Sequence, residues 1–485
     1  MTDRNNNTLD FQDLGRRKLQ ADFSGGHLSN EGGLLLISQL DQRLGITDQL
    51  VRCFADHRDQ RYVEHSLPEL LRQRIYGLIA GFEDLNDHEV LRRDPLMAAA
   101  VGKTDPLGEN RIGEDKGSPL AGKSTLNRLE ITNAQTQNGE RSTHYHKIHA
   151  NHGDIEKTLI QLGTQALPQN KSEIILDFDA TDDLIHGQQE GRYFHAYYHN
   201  YCYLPLYAFV DDIPFYAQLR TCDRDGCEGT VGALESIVPQ LRVRFPQARI
   251  IVRGDSGFAR ESIMKWCEDH GCYYCLGMAK NSRLKKSLEP AMIKARETAC
   301  LTGGFACRFD SFHYQTTKTW SRPRRLIGKA EIIRGKENLR FIVTNLPEDY
   351  WPKEELRATE ISDFSPEGIY RHLYCARGDM ENRIKEQQLD MFADRTSSAM
   401  MASNQLRLWF STIAYLLVQQ LRMHALAGTR LAKATAGIIR QRLLKVATSI
   451  RISVRRVHAR MCSTFVLRGI FEQAHERIRL LPARE

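Results

Sequence analysis

Two aspartates end apolar runs that are typical of buried strands, and a glutamate follows on a predicted helix. Asp179 lies near the end of the run Ile174–Thr181, and Asp255 follows the run Arg249–Gly254. Glu381 comes much later in the chain. Charged carboxylates at the ends of core elements are costly unless a counter-charge compensates them. If the three acids meet, divalent cations would compensate them, and hard cations held by carboxylates carry out phosphoryl transfer.

The segment around Glu381 carries cations at helical spacing. Steps of three and four residues predict that one helix face is shared by Tyr374, Arg377, Glu381, Lys385 and Gln388. Such a face holds one carboxylate between two cations; a metal needs the carboxylate, whereas a phosphate needs the cations. Taken alone, the same pattern also fits a surface helix with ordinary ion pairs.

Residues 173–278 have the periodicity of an α/β domain. Apolar runs predict five strands, at Ile174–Thr181, Tyr203–Val210, Pro214–Arg220, Arg249–Arg253 and Tyr273–Gly277. A helix is predicted before the fourth strand, so this strand can lie parallel to the first and bring Asp179 close to Asp255. The predicted fold class is therefore α/β, a mixed sheet of ribonuclease-H-like arrangement with helices on its faces.

Other segments flank and interrupt this predicted sheet. Residues 1–165 have mostly helical patterns, and small helical units with basic residues often bind DNA, although no clear helix-turn-helix signature is present. A β-rich insertion is predicted from three later strands, at Phe305–His313, Leu326–Ile333 and Leu339–Thr344. The expected order starts with a helical DNA-end-binding region (1–165) and the first part of the catalytic domain (170–280). The insertion (281–365), the second part of the catalytic domain (366–427) and a basic helical tail (428–485) follow.

The C-terminal part of the chain carries an excess of positive charge. Of the net charge of +7, residues 391–485 contribute +12, from 16 Lys and Arg against 4 Asp and Glu, so the remainder sums to −5. This asymmetry favours a polyanion partner, because bound phosphates release their counterions. Arg455 and Arg456, in the predicted helical tail, are candidate contacts. A merely solvated basic surface is the alternative.

The composition argues against secretion and membrane insertion. With 41% hydrophobic and 26% charged residues, the chain is typical of an ordinary globular protein. The first residues lack an apolar signal segment, and the longest apolar stretch, around Leu406–Leu421, is interrupted by polar residues. Eleven cysteines without framework spacing predict reduced thiols. We therefore expect a cytoplasmic protein without a membrane partner.

Three motifs carry a resemblance to a known family. An Asp-x-Thr motif after a strand is matched by Asp179-Ala180-Thr181, and an Asp-x-Gly-Phe/Tyr turn by Asp255-Ser256-Gly257-Phe258. A Tyr-x2-Arg-x3-Glu-x6-Lys signature is matched by Tyr374, Arg377 and Glu381, but its Lys position holds Gln388. Through these motifs the chain resembles, over roughly 173–395, the DDE transposases of bacterial insertion sequences (DDE group 1, the Tyr-Arg-Glu-Lys signature group). That family also has a β-rich insertion before its third acid.

The resemblance implies a metal-dependent DNA transposase. Asp179, Asp255 and Glu381 would be catalytic and hold Mg²⁺, which Mn²⁺ may replace, for cleavage of DNA at the element ends and strand transfer into target DNA. The implied partners are the terminal inverted repeats and target DNA, with no nucleotide cofactor, and the joining of two ends favours a homodimer. The candidate DNA contacts are Tyr374, Arg377, Lys385, Arg253, His186, Trp320, Arg455 and Arg456.

Several of these assignments have alternatives. Asp177 shares a strand face with Asp179, because side chains alternate along a strand. It is therefore either the first metal ligand or a helper carboxylate, and Asp179 is preferred as the ligand. His186, in a predicted hairpin loop, either approaches DNA or metal or only makes hydrogen bonds. Trp320, beside arginines in the insertion, either stacks on an unpaired base or does not contact DNA. Asp182 and Asp183 are interpreted as turn residues.

Two other functions remain as alternatives. Residues Gly117–Ser124 match the letter pattern of a P-loop, so one alternative is a P-loop ATPase. The pattern does not follow a buried strand, and Pro119 removes a backbone donor that a phosphate cradle would use. The other alternative is a catalytically inactive DNA-binding regulator, which binds the element ends without cutting them.

Overall fold

The computed structural model describes residues 8–131, 147–347 and 365–482, in two compact units. One unit takes in the described residues of Met1–Val51, Asp56–Leu129 and Gln420–Glu485, and the other those of Arg52–Ala55 and Glu130–Gln419. The two end regions that the sequence analysis treated separately thus belong to one unit. Residues 348–364 of the predicted insertion lie outside the described ranges.

The larger unit is built on a mixed sheet of eight strands. In chain order these are β1 (Glu173–Ala180), β2 (Leu206–Val210), β3 (Ile213–Gln218), β4 (Arg249–Gly254), β5 (Tyr273–Met278), β6 (Phe305–Tyr314), β7 (Arg324–Ile333) and β8 (Lys336–Thr344). Their order across the sheet is β3-β2-β1-β4-β5-β8-β7-β6. The central pairs β1–β4 and β4–β5 are parallel, and all other neighbours in this sheet are antiparallel. The parallel pairing predicted for the first and fourth strands is confirmed.

The strands of the predicted insertion extend this sheet. Strand β8 pairs antiparallel with β5, so that Met278 lies opposite Phe341 and Cys275 opposite Thr344. Strands β7 and β6 then follow in hairpin order. The expectation that this segment breaks the sheet is therefore wrong. Pairing with β8 satisfies backbone groups that β5 would otherwise expose as an edge strand.

Helices complete the larger unit. Their bounds are His152–Ala166, Thr230–Arg244, Glu261–Asp269, Ser282–Ser287, Glu289–Thr302, Pro366–Gly368, Gly378–Met391 and Met401–Gln420. The apolar stretch around Leu406–Leu421 forms most of the last of these, and its side chains are buried in protein. Across the described ranges, no helix combines the length and apolarity that crossing a membrane requires. No disulfide bond joins any of the eleven cysteines, all of which lie in the described ranges.

Short strands lie outside the large sheet. Three of them form a small sheet that follows β1, at Asp183–Leu184, Tyr193–His195 and Asn200–Tyr203. The remaining short strands of the described N-terminal part are Leu9–Asp10, Gln20–Ala21, Leu28–Ser29, Phe54–Asp56 and Ile148–Ala150.

The smaller unit is mainly helical. Its α-helices are Leu34–Leu44, Ile46–Val51, Leu67–Ala80, His88–Leu91, Pro95–Val101, Ala436–Ile439, Arg468–Leu480 and most of Lys123–Glu130, with short π-helical segments at Leu421–Ala425 and Arg440–Leu444. The predicted capping box is present, because the Ser66 backbone N–H donates to Glu69 at 2.8 Å and the Ser66 side chain accepts in return. Leu70, Leu71 and Ile75 of the helix that follows are fully buried.

The predicted helical tail contains a β-hairpin. Thr448–Ser453 pairs antiparallel with Arg456–Met461, and Leu28–Ser29 adds a short third strand. The expectation of helix for this Arg-rich segment is therefore wrong. From Thr448 to Ser453, isoleucines alternate with polar residues at a period of two, which favours a strand over a helix.

The structure argues against the P-loop alternative. Gly117–Ser124 follows a short 3₁₀ turn, Gly113–Asp115, where a phosphate cradle would follow a buried strand. Leu120 and Ala121 are buried, and the backbone N–H of Lys123 already donates to Glu89 at 2.8 Å. The backbone N–H groups of Leu120 and Ala121 likewise donate to the Arg92 carbonyl and the Gln73 side chain, so these donors are not available to a phosphate.

Two buried histidines are expected to make the protein less stable in acid. Burial lowers the pKa of His88 to about 3, and burial together with Lys103 and Arg111 lowers the pKa of His65 to about 3. Above pH ~6.5 both are neutral in the folded and unfolded chain. As pH falls below that value, the unfolded chain takes up protons that the folded chain excludes, at a cost of about 1.4 kcal/mol per histidine and pH unit.

Urea unfolding at several pH values, followed by circular dichroism, checks this expectation. His88→Leu removes one titrating group, and Gln73 keeps its other partner, the Ala121 carbonyl, at 2.8 Å. Below pH ~6.5, the slope of the unfolding free energy against pH should therefore be smaller in this variant, by the contribution of one bound proton. An unchanged dependence would show that His88 does not cause the acid sensitivity.

Candidate active site

Asp179 and Asp255 lie at the carboxyl ends of adjacent parallel strands. Arg253 of β4 is opposite Asp177 of β1, and Asp255 and Asp179 each follow two residues later, Asp255 directly after the end of β4. Each carboxylate accepts a backbone N–H: Asp179 from Ala180 at 2.9 Å, and Asp255 from Gly257 at 2.8 Å. The topology thus places the two predicted acids side by side at one edge of the sheet.

Arg377 links Asp179 to the third predicted acid. Its Nη1 donates to Oδ2 of Asp179 at 3.2 Å, and its Nη2 donates to Oε1 of Glu381 at 2.6 Å. The Asp179 side chain is 16% exposed, whereas that of Glu381 is 56% exposed. One guanidinium therefore balances a largely buried carboxylate and a carboxylate at the surface.

The charges of Asp255 and Glu381 act on Asp179. Burial raises the pKa of Asp179 to about 6; Arg377 opposes this shift, while the charges of Asp255 and Glu381 add to it. A carboxylate in such surroundings gains from a nearby cation. Even with Arg377 present, a further positive charge would therefore favour the ionised form of Asp179.

The donor set suits a divalent cation, although the side chains are not arranged as a finished metal site. In the ranges that the structure describes, no three His, Cys, Asp or Glu side chains are grouped closely enough to hold a metal ion. The oxygen donors of Asp179, Asp255 and Glu381 are nevertheless those that hard cations prefer. The positive charge shared by Asp179 and Glu381 here is the guanidinium of Arg377.

Asp177 and Arg253 form a buried ion pair beneath this site. Arg253 donates to both carboxylate oxygens of Asp177, with Nη2 to Oδ2 at 2.6 Å, and its Nη1 donates to the Leu373 carbonyl at 2.6 Å. Asp177 is 4% exposed and Arg253 is 6% exposed. The burial of its guanidinium argues against the expected DNA contact of Arg253, which stays a prediction. Asp177 faces an arginine, which argues against its role as the first metal ligand.

The predicted continuous helix face is broken before Glu381. Ile369–Tyr374 is π-helical, Cys375–Arg377 is a 3₁₀ turn, and the α-helix begins only at Gly378. Tyr374 consequently packs on the core, with its ring 5.6 Å from that of Tyr370. Its hydroxyl lies 2.6 Å from the position that a Cβ on Gly277 would occupy. Tyr374 thus packs in part on the core, with its hydroxyl near the turn of Asp255, and its expected DNA contact stays a prediction.

The remaining candidate DNA contacts divide by exposure. Trp320 is 6% exposed, packs edge-on against Tyr314 at 5.8 Å between ring centroids, and lies under Arg324. This burial argues against the expected stacking of Trp320 on an unpaired base, which stays a prediction. Exposed positions are held by His186, Lys385, Arg455 and Arg456. Their roles in DNA binding stay predictions.

The burial of Asp183 is not apparent from the sequence, whose pattern predicts a turn there. Asp183 is fully buried in the strand Asp183–Leu184. Burial raises its pKa well above the usual value. Gln388, which occupies the Lys position of the signature, donates to Oδ1 of Asp183 at 2.9 Å and to the Asp182 carbonyl at 3.2 Å. The pair ties the helix of Glu381 to the segment after Asp179, and the departure from Lys was the only signal for it in the sequence.

A family match agrees with the motifs. The family described as transposase DDE domain group 1 matches residues 11–483. No curated protein matches the chain. Among solved structures, the cryo-EM structure of the piggyBac transposase synaptic complex with hairpin DNA is similar, at 10% identity over 93% of this chain and 86% of that chain, with a TM-score of 0.40. A likeness of this size does not establish a shared fold. The family match spans nearly the whole sequence, and the chain therefore belongs to the transposase DDE domain group 1 family.

Proposed function

We propose that the protein is the transposase of a bacterial insertion sequence, which cleaves DNA strands at the element ends and transfers them into target DNA. One observation carries the proposal: Asp179 and Asp255 end adjacent parallel strands, and Arg377 joins Asp179 to Glu381. Family membership implies DNA transposition. The parallel β1–β4 pair within a mixed sheet supports a ribonuclease-H-like catalytic domain.

Asp179, Asp255 and Glu381 would hold Mg²⁺, for which Mn²⁺ can substitute. Bound there, divalent cations lower the pKa of water and stabilise the charge on the attacking and leaving oxygens of a phosphodiester. Asp179 supplies a largely buried carboxylate whose pKa is raised to about 6, so its ionised form gains from an added positive charge. Glu381, at the surface, can turn towards the aspartates when Arg377 releases it.

Arg377 has a second role in this proposal. Once its two carboxylates are neutralised by another cation, its guanidinium is free to bind a DNA phosphate with paired donors. Lys385, exposed one turn further along the same helix as Glu381, adds a cation for the same backbone. Arg377 thus balances the acids in the absence of DNA and positions the phosphate in its presence.

The proposed partners are the terminal inverted repeats and target DNA, with no nucleotide cofactor and a homodimer in the DNA complex. The exposed His186, Arg455 and Arg456 are proposed contacts. The helical N-terminal part is proposed to bind the element ends. No observation favours the inactive regulator, because all three acids of the signature are present.

The test is strand cleavage of a duplex that carries the sequences flanking the gene, at one stated salt concentration. We expect cleavage with Mg²⁺ or Mn²⁺, none with chelator, and no effect of ATP. Asp255→Asn should lower the cleavage rate by at least about 1000-fold, since metal stabilisation of the transition state is worth several kcal/mol. Lys123→Ala, in the P-loop-like segment, should cleave normally. Cleavage that survives Asp255→Asn, or that requires ATP and Lys123, would overturn the proposal.

A further inference from the structure

The hairpin in the C-terminal region is a ribbon with one basic and one apolar face. Across its two strands, Arg451 lies opposite His458, Ser453 opposite Arg456, and Ser449 opposite Arg460. Directly opposed residues share a face, and side chains alternate along each strand. One face of the ribbon therefore carries Arg451, Arg456, His458 and Arg460, and the other carries Ile450, Ile452, Val457 and Ala459.

Most of this ribbon pairs with no other strand among the residues that the structure describes. The third strand pairs only with Thr448 and Ser449, and the last backbone contact to it is the Ile450 N–H donating to the His27 carbonyl at 2.9 Å. Every residue from Arg451 to His458 is exposed. A free two-stranded ribbon is marginally stable in water, so this one gains from a surface that orders it.

The charge on the ribbon has no counterpart nearby in the sequence. Residues 395–471 contain no Asp or Glu. The flanking cations Lys445 and Arg468 reach Glu31 and Glu472 in ion pairs. In the described part of the chain, none of the ribbon arginines has an ion-pair partner. Like charges on one strand face repel, and a polyanion is the partner that relieves this repulsion.

We propose that this ribbon lies in the major groove of duplex DNA, with the face of Arg451, Arg456, His458 and Arg460 towards phosphates and base edges. The inference rests on the proposed function, which makes DNA the partner, and adds the element that enters DNA and the groove that receives it. Strands about 4.8 Å apart, with their side chains, fit a groove about 12 Å wide but not the minor groove of about 6 Å. Arginine is also the side chain best suited to guanine edges in the major groove.

Charge-removing variants test the contact. Arg451→Gln, Arg456→Gln and Arg460→Gln are combined in one variant and compared with Arg430→Gln, Lys433→Gln and Arg442→Gln, which remove three exposed cations of the same acid-free stretch outside the ribbon. Binding of a labelled mixed-sequence duplex is followed by fluorescence anisotropy over a range of salt concentrations. For the ribbon variant, the plot of log affinity against log salt should be less steep by about 2 to 3. The comparison variant should change that slope by less than about 1, and circular dichroism should show both to be folded.

Groove-selective competitors test the geometry. Methyl green, which occupies the major groove, should displace the wild-type protein, whereas netropsin in the minor groove should not. Displacement by netropsin alone would overturn the groove assignment, and equal salt slopes for the two triple variants would overturn the ribbon contact. If either occurs while the wild type still cleaves element ends with metal, the ribbon inference fails and the proposed function stands. The wild type cleaving no DNA would overturn the proposed function. If, in that case, only the ribbon variant of the two triple variants has the less steep salt dependence of binding, the ribbon inference still stands.

Discussion

Replacing Asp179 with asparagine is expected to abolish strand cleavage while leaving the fold intact. The substitution keeps the side-chain shape but removes the charge that a divalent cation needs. If that cation stabilises the transition state by several kcal/mol, the cleavage rate should fall at least about 1000-fold. The fold should tolerate the change, because the charge of Asp179 is itself unfavourable: burial, Asp255 and Glu381 hold its pKa at about 6 against the pull of Arg377. Cleavage rate and thermal unfolding of the same preparation check both parts.

Asp379→Asn is the matched control. Asp379 lies in the first turn of the helix that carries Glu381, and its side chain is exposed to solvent. Removing its charge should change the cleavage rate by no more than about twofold, because a surface charge outside the site is screened by solvent. Equal losses in the two variants would point to a general effect of charge near the helix. Near-normal cleavage by Asp179→Asn would remove Asp179 from the site.

The second large effect is expected on stability, when Arg253 is replaced by methionine. Arg253 neutralises Asp177 in the core and also donates to the Leu373 carbonyl at 2.6 Å. Arg253→Met leaves a carboxylate that is 4% exposed without its partner. Breaking a buried pair in this way typically costs about 3–5 kcal/mol of unfolding free energy. Urea unfolding of wild type and variant measures the loss.

A double-mutant cycle separates the pair from its surroundings. Combining Asp177→Leu with Arg253→Met removes both charges, so the double variant should regain most of the stability that either single variant loses. It should also keep metal-dependent cleavage, because Asp177 is not needed as a ligand in the proposed site. Loss of cleavage in a stable double variant would return Asp177 to the candidate ligands.

Arg371→Met is the control for the cycle. Arg371 pairs with Glu367 at 2.6 Å on a surface helix turn, with side chains 48% and 56% exposed. Exposed pairs of this kind contribute about 0.3–0.5 kcal/mol, so the variant should unfold almost like the wild type. A loss as large as that of Arg253→Met would mean that arginine removal in general, and not the buried pair, destabilises the protein.

The sequence by itself determined the two central strands and the proximity of Asp179 and Asp255 at their carboxyl ends. The run around Ile174 and the run around Ile250 are apolar enough to predict strands whatever surrounds them, and both strands are present. A helix between them allows a parallel pairing, and parallel strands end at the same edge of a sheet. Asp179 and Asp255 at those ends are therefore neighbours for reasons that local pattern and chain topology already contain.

Only the tertiary structure decided which partners the buried polar groups have. Periodicity tells which side of an element is buried, but it does not name the group that faces it. From the sequence, Arg253 is a basic residue close to Asp255 and a candidate DNA contact. In the structure it lies in the core, where its guanidinium donates hydrogen bonds to Asp177 of the neighbouring strand and to the Leu373 carbonyl. Asp183 likewise reads as a turn residue and is buried against Gln388. Contacts between residues far apart in sequence fix such pairings, and a single sequence does not display them.

The same limit explains the errors in the elements. Strands β6–β8 were correctly predicted as strands, but their place at the edge of β5 depends on a long-range pairing that the sequence pattern does not encode. The helix before Glu381 was predicted as continuous, and packing of Tyr374 on the core accompanies its π-helical and 3₁₀ turns. Local pattern set the kind of element in most places. The neighbours of each element, and with them the exposure of each charge, came from packing between distant parts of the chain.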